Sequence, residues 1–217
     1  MIAKAVPRVL IAPVEIAGHY RNLCLALRKS GADVDLVIYR PNPSGYGDID
    51  PPPILIQIGR KLSATKVGSM RDSLIQPIGL ALGYLFFSLW GLRAILKYDV
   101  FILGFGHSLI PFNADLPLLR LLGKRVVANL YHGSEIRPPF ANGALKRGRR
   151  QDCQSVRFMH RECRRIKRRA RFFEKHVTTI VGSPLTSSPY LEKRFVNIFA
   201  LGIPARVDSP ASRHSPR

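Results

Sequence analysis

"VLIAPVEIAGHYRNLCLALRKSGADVDLV", Val9 to Val37, is the stretch whose reading decides the fold. Its first part, within Arg8 to Val14, is a continuous apolar run without alternation, the pattern of a short strand buried on both faces. After Glu15-Ile16-Ala17-Gly18 the spacing changes to that of a helix, with Leu23, Ala26 and Leu27 on one side, and Gly31 stops it. Asp33 to Tyr39 is a second strand rich in β-branched residues. Strand, helix and strand in so short a span form a β-α-β unit, whose two strands are parallel because the helix carries the chain back to the starting edge.

The alternation continues outward. "RPNPSGYGDIDPPP", Arg40 to Pro53, holds too much Pro and Gly for a regular element and is expected as a surface loop. Beyond it the spacing predicts an apolar helix over Ser73 to Lys97, a strand over Asp99 to Leu103, a helix over Ala114 to Leu122 and a strand over Arg125 to Leu130. A basic helix over Gln151 to Lys175, a strand over Val177 to Val181 and a last short strand over Asn197 to Leu201 follow. The expected fold is α/β: a doubly wound, mainly parallel sheet with helices on both faces, Rossmann-like, over residues 1–205, with 206–217 as a polar, disordered tail.

A chain of 217 residues with 46% hydrophobic content buries one good core. The net charge of +20 favours phosphate-rich partners: nucleic acid, anionic lipid headgroups, or nucleotide and diphosphate ligands. Cys24, Cys153 and Cys163 are odd in number and irregularly spaced, which argues against a disulfide framework and for a reducing compartment. The apolar stretch Val9 to Val14 is too short for a signal-peptide core and is interrupted by Pro13. A cytoplasmic location is therefore expected.

In open parallel sheets ligands bind beyond the carboxyl ends of the strands, where strand order reverses. Three glycine-containing loops converge there if the first strand and the Asp99 strand are neighbours: Ala17-Gly18-His19, Gly104-Phe105-Gly106-His107, and His132-Gly133-Ser134-Glu135. Each carries a histidine, suited to bonding hydroxyls or moving a proton. Gly18 precedes a helix start, whose free N–H groups favour an anion, although only one glycine stands there and no dinucleotide fingerprint is formed. Glu135 and Arg137 form a pair able to hold their loop or meet a substrate anion.

Other signals have plainer readings. Cys153 and Cys163 stand ten positions apart and, with His160 and His176, match no usual metal-ligand spacing, so no metal is expected. Cys153, Val156, His160, Cys163, Ile166 and Ala170 fall near one helical stripe, expected to pack on the sheet. "KRGRR" (Lys146 to Arg150) and "RRIKRRAR" (Arg164 to Arg171) accompany no nucleic-acid module, which disfavours nucleic acid as the partner against a solvated face or an anionic membrane. "LIQPIGLALGYLFFSLWGL", Leu74 to Leu92, is nearly long enough to span a bilayer, but Gln76, Pro77, Gly79 and Gly83 dilute it, Ser73 with Gln76 resembles a capping box, and a span would tear the sheet. A buried or membrane-grazing helix is expected.

Val9 to Val37, "YDVFILGFGHSLIPFNADLPLLRLLGKRVVANLYHGSEIRPP" (Tyr98 to Pro139) and "VNIFALGIPA" (Val196 to Ala205) together resemble the N-terminal, acceptor-side domain of bacterial retaining glycosyltransferases of the GT-B fold. The most specific part is D-L-P-L-L-x-x-L-G-K-x-V-V followed by H-G-S-[DE]-x-R, in which Glu135 stands where Asp is commoner. The resemblance implies His132 as the catalytic residue beside the transferring sugar. It places His107, Gly104, Gly106, Glu135 and Arg137 on the acceptor and turns Gly18, His19 and Tyr20 to the donor phosphates. It also implies no metal and no cofactor, with a nucleotide sugar as donor substrate where a donor domain is present. Such enzymes hold that sugar in a second Rossmann-like domain carrying an acidic pair, and residues after Ala205 do not match one. The expectation is an acceptor-side half of a transferase for cell-surface polysaccharide, truncated and inactive alone, with a saccharide or lipid-linked acceptor. The alternative is a membrane-recruiting acceptor subunit, peripheral on the inner face of the membrane, that docks a separate donor-binding chain.

Overall fold

The computed structural model describes residues 6–40, 48–64, 70–131, 135–137, 153–183, 187–193 and 195–197, with backbone alone at 70–75 and 153–159. The strands are β1 (Val9–Ala12), β2 (Val34–Leu36), β3 (Val100–Gly104), β4 (Arg125–Leu130), β5 (Thr179–Gly182) and β6 (Val196–Asn197). The helices are α1 (His19–Lys29), α2 (Ile54–Ser63), α3 (Met70–Lys97), α4 (Leu116–Leu121) and α5 (Cys153–His176), with a single 3-10 turn at Pro111–Asn113. The strands form one six-stranded sheet in the order β2-β1-β3-β4-β5-β6, every pair parallel. The fold is the Rossmann-like α/β arrangement expected from Val9 to Val37. The chain reverses direction across the sheet between β1 and β3, which pair directly from Val9↔Val100 to Ala12↔Leu103.

Strand alternation sends side chains to two cores. Leu10, Ala12, Phe101, Leu103, Val126, Ala128 and Ile180 meet Ile56 of α2, Phe87, Trp90 and Ile95 of α3, Leu116 and Leu119 of α4, and Ile166, Ala170 and Phe173 of α5. On the opposite face Ile11, Val34 and Leu36 meet Tyr20 and Cys24 of α1, with Leu23 and Leu27 packed beside them. Both faces thus carry helices, but unequally. Val127, Thr179 and Val181 point to the α1 side and stay half-buried.

Several boundaries differ from the expectations, each for a local reason. β1 stops at Ala12 because Pro13 has no N–H for the ladder, although Pro13 still accepts a bond from the Tyr39 N–H at 2.9 Å. β2 is shorter than expected at both ends, β5 starts two residues later than expected and runs one residue further, to Gly182, and β6 begins at Val196, one residue before the expected Asn197. α3 begins at Met70, which puts Ser73 inside the helix and removes the expected capping box. His160 is exposed, and the inward stripe of α5 is Ile166, Ala170 and Phe173. Residues 151–152, the expected strand end at 198–201 and the tail 206–217 lie outside the described residues.

The element not anticipated is α2. Pro53 at its N-cap is preset for a helix start, and Ile56 and Gly59 supply the inward face. Its inward stripe is short and interrupted by Gly59, which weakens the periodic signal. That glycine is where α2 crosses α3: a Cβ on Gly59 would stand 2.5 Å from Phe87, and one on Gly83 would stand 2.9 Å from the Gly59 carbonyl oxygen. Only two glycines let these backbones approach so closely.

α3 includes a stretch, Gln76–Lys97, long and apolar enough by length and composition to cross a membrane. The same helix seats Phe87, Trp90, Ala94 and Ile95 in the core. Leaving the sheet to span a bilayer would expose that whole layer.

Candidate functional site

The carboxyl ends of β1, β3 and β4 bring the expected loops together. Ala17 and Gly18 take positive φ values of 49° and 81° to turn the chain into α1, and Phe105 and Gly106 do the same after β3 at 57° and 66°. His19 is half-buried, its Nε2 lying 2.8 Å from the Tyr131 hydroxyl at the end of β4. Tyr20 is fully buried and bonds the Asn129 side chain, its ring lying against Gly104. Gly106 abuts Glu135 and Arg169, and the Arg169 Nη2 donates to the Glu135 carbonyl oxygen at 2.6 Å. Gly18, His19, Tyr20, Gly104, Gly106 and Glu135 therefore form one contiguous edge. Arg137 is half-buried beside it. His132, with Gly133 and Ser134, lies outside the described residues.

The amides at the start of α1 do not await an anion, as Gly18 and Tyr20 had suggested. The buried Glu15 carboxylate accepts from the Tyr20 N–H at 3.3 Å and the Arg21 N–H at 2.7 Å. His19 N–H bonds the Ile16 carbonyl and Asn22 N–H bonds that of Gly18. A carboxylate of the chain itself occupies the place where a donor phosphate was expected, in the position favoured by the helix dipole. Burial nevertheless outweighs these bonds and raises the Glu15 pKa above 4.5. From this turn the His19 side chain reaches along the edge to the Tyr131 hydroxyl.

His107 faces another part of the edge. It lines a cavity of about 270 Å³ with Pro13, Val14, Tyr39, Arg40, Tyr84 and Phe87, closed by Phe105 and the segment Ser108–Asn113. Tyr39 forms the floor: its ring stacks on Phe87 at 4.6 Å and its hydroxyl donates to the Leu109 carbonyl at 2.8 Å. At the rim Arg40 lies over the Tyr84 ring at 5.6 Å and donates to its hydroxyl at 3.1 Å. Phe112 is 98% exposed and held at φ 61°, a backbone region a bulky residue rarely adopts. The cavity is apolar and aromatic, with cationic and hydrogen-bonding groups at its mouth, the usual make-up of a small-molecule site.

Asp115, 1% exposed, fixes the loop that carries His107. Its carboxylate accepts from the Ser108 hydroxyl, the Leu109 N–H at 3.1 Å and the Ile110 N–H at 3.2 Å. Asn113 adds a bond from the Ser108 N–H at 2.8 Å.

The two histidines of the edge among the described residues are both shifted toward the neutral form. Burial lowers the His19 pKa below 6.5, and His107, although exposed, is lowered by partial desolvation first and then by the Arg169 and Arg40 charges. Burial, with the Glu135 charge, pushes Tyr131 up to about 12, so it stays a phenol beside His19. Neutral histidine can accept a proton or a hydrogen bond, which suits contact with hydroxyl groups.

Arg169 was missed in the sequence because nothing distinguishes it from its neighbours in "RRIKRRAR". Its contacts with Gly106 and Glu135 put that turn of α5 level with the carboxyl edge. α5 runs from that edge toward the amino ends of the strands, so its preceding turns rise past the edge. They carry the exposed Arg161, Arg164, Arg165 and Arg168. Arg40, Tyr84 and Phe112 were missed for a different reason: they come from three segments far apart in sequence.

Comparison with known families finds no family model that matches the chain, and comparison with curated proteins finds no matching sequence.

Proposed function

We propose that this chain is the acceptor-side half of a glycosyltransferase for cell-surface polysaccharide, with the acceptor held in the His107 cavity. The observation that carries the reading is the junction of that aromatic cavity with the convergent loops at the β1/β3 crossover. Aromatic faces suit a sugar ring or an apolar carrier chain, while Arg40 and His107 suit hydroxyl or phosphate oxygens. His132 is the proposed catalytic residue beside the transferring sugar. The nucleotide sugar would come from a donor-binding domain on the same or a separate chain. Catalysis would then rest on stabilising the leaving diphosphate across the cleft, without a metal.

The test is calorimetric titration with a short-chain isoprenyl diphosphate sugar. Arg40→Ala and Phe112→Ala are each expected to weaken binding about tenfold, or about 1.4 kcal/mol. No binding by the unsubstituted chain, or binding that neither substitution weakens, overturns the cavity as the acceptor site.

The exposed arginines of α5 favour a second reading, a membrane-recruiting subunit on an anionic leaflet. Each Lys or Arg near such a surface contributes about 1 kcal/mol before screening. Sedimentation with anionic vesicles is expected to carry the chain down, and the Arg164→Ser/Arg168→Ser variant to reduce that at least tenfold. Equal binding to neutral vesicles rules the reading out.

A further inference from the structure

We infer that α3 is a self-association surface through which two copies of this chain pack helix against helix. Ile78, Leu82, Leu85, Leu89, Leu92 and Leu96 are 42–80% exposed, although every one is Ile or Leu. Their spacing alternates four and three residues throughout, the period of a coiled-coil seam. The opposite side of the same helix is already used by Phe87, Trp90, Ala94 and Ile95 in the core. The stripe is thus a second apolar face with no partner among the described residues.

Three features select a second copy as its occupant. A 3.5-residue period keeps a seam facing another helix, whereas a lipid surface sets no such phase and accepts a broad face. Helices that lie in a membrane interface carry Lys and Arg along their flanks. α3 has no charged residue from Gln76 to Leu92, and only Arg93 and Lys97 follow. Two such stripes laid together remove on the order of 1,000 Å² from water, the size at which a specific interface begins.

Charge sets the orientation. A parallel pair would stack the two Arg93 and Lys97 ends, while an antiparallel pair sends them to opposite ends of the seam. In the antiparallel pair Leu85 meets Leu89 of the second copy, and Leu82 meets Leu92. Because each chain carries +20, association opposes long-range repulsion, and salt should strengthen it by screening. Binding to an anionic surface has the opposite salt dependence.

Analytical ultracentrifugation of the full chain without lipid tests this. A dimer is expected at roughly 10 µM, with its dissociation constant falling as NaCl is raised. Leu85→Glu and, separately, Leu89→Glu should each weaken it at least a hundredfold; both positions are exposed, so circular dichroism should be unchanged. The Leu85→Glu/Leu89→Lys double variant should restore the dimer through two reciprocal ion pairs in the antiparallel arrangement. A monomer at roughly 100 µM overturns the inference. So does a dimer unaffected by either single substitution, or a lipid-free monomer whose vesicle binding is lost in Leu85→Glu.

Discussion

Gly104→Ala is expected to destabilise the protein by roughly 3 kcal/mol and to lower its melting temperature by about 6–12 °C. The added Cβ would stand 2.2 Å from the Tyr20 hydroxyl oxygen, 2.5 Å from Cζ and 2.7 Å from Cε2. Tyr20 cannot swing away cheaply: it is fully buried, bonds Asn129 and sits in the first turn of α1. Relief requires either moving α1 off the sheet or ejecting the ring, and both disturb the His19 to Tyr131 contact. Thermal melts of Gly104→Ala, of Tyr20→Leu and of the double variant would show strong coupling, with the double variant less destabilised than the sum. Additive losses would mean that the clash is not the cause.

Asp115→Ala is expected to cost roughly 3 kcal/mol and to release the segment carrying His107. The substitution leaves the Ser108 hydroxyl and the Leu109 and Ile110 amides without their acceptor. Asp115→Asn keeps one side-chain oxygen and should cost about half as much. Urea denaturation measures the stability, and hydrogen exchange at Leu109 and Ile110 shows whether the segment has opened. Unchanged protection there contradicts the anchoring role. A pH effect accompanies it: burial raises the Asp115 carboxyl above 3.8, and its hydrogen bonds pull the other way. The proton-linked part of the group's contribution is therefore fully present below pH 3.8 and lost as pH rises through the raised folded value, while the three hydrogen bonds that the carboxylate accepts remain. Asp115→Ala should remove that part of the wild-type pH profile.

What the sequence determined by itself was the parallel α/β architecture and the edge on which the candidate site lies. Val9 to Val37 carries that information locally, because apolar runs, helical spacing and Gly31 each constrain a few adjacent residues. Once consecutive strands are parallel, every loop that follows a strand emerges on one edge, and Gly18, His19, His107 and Glu135 are gathered without knowledge of a single contact. What only the tertiary structure decided was how the atoms on that edge are used. Glu15 sits in the loop before α1, and its burial against the Tyr20 and Arg21 amides is visible only when the loop folds back. Arg40, Tyr84 and Phe112 share a cavity because β2, α3 and the segment after β3 meet in space. The same reason divides α3: its composition is apolar throughout, and only packing against the sheet separates Phe87 and Trp90 in the core from Leu85 and Leu89 in solvent.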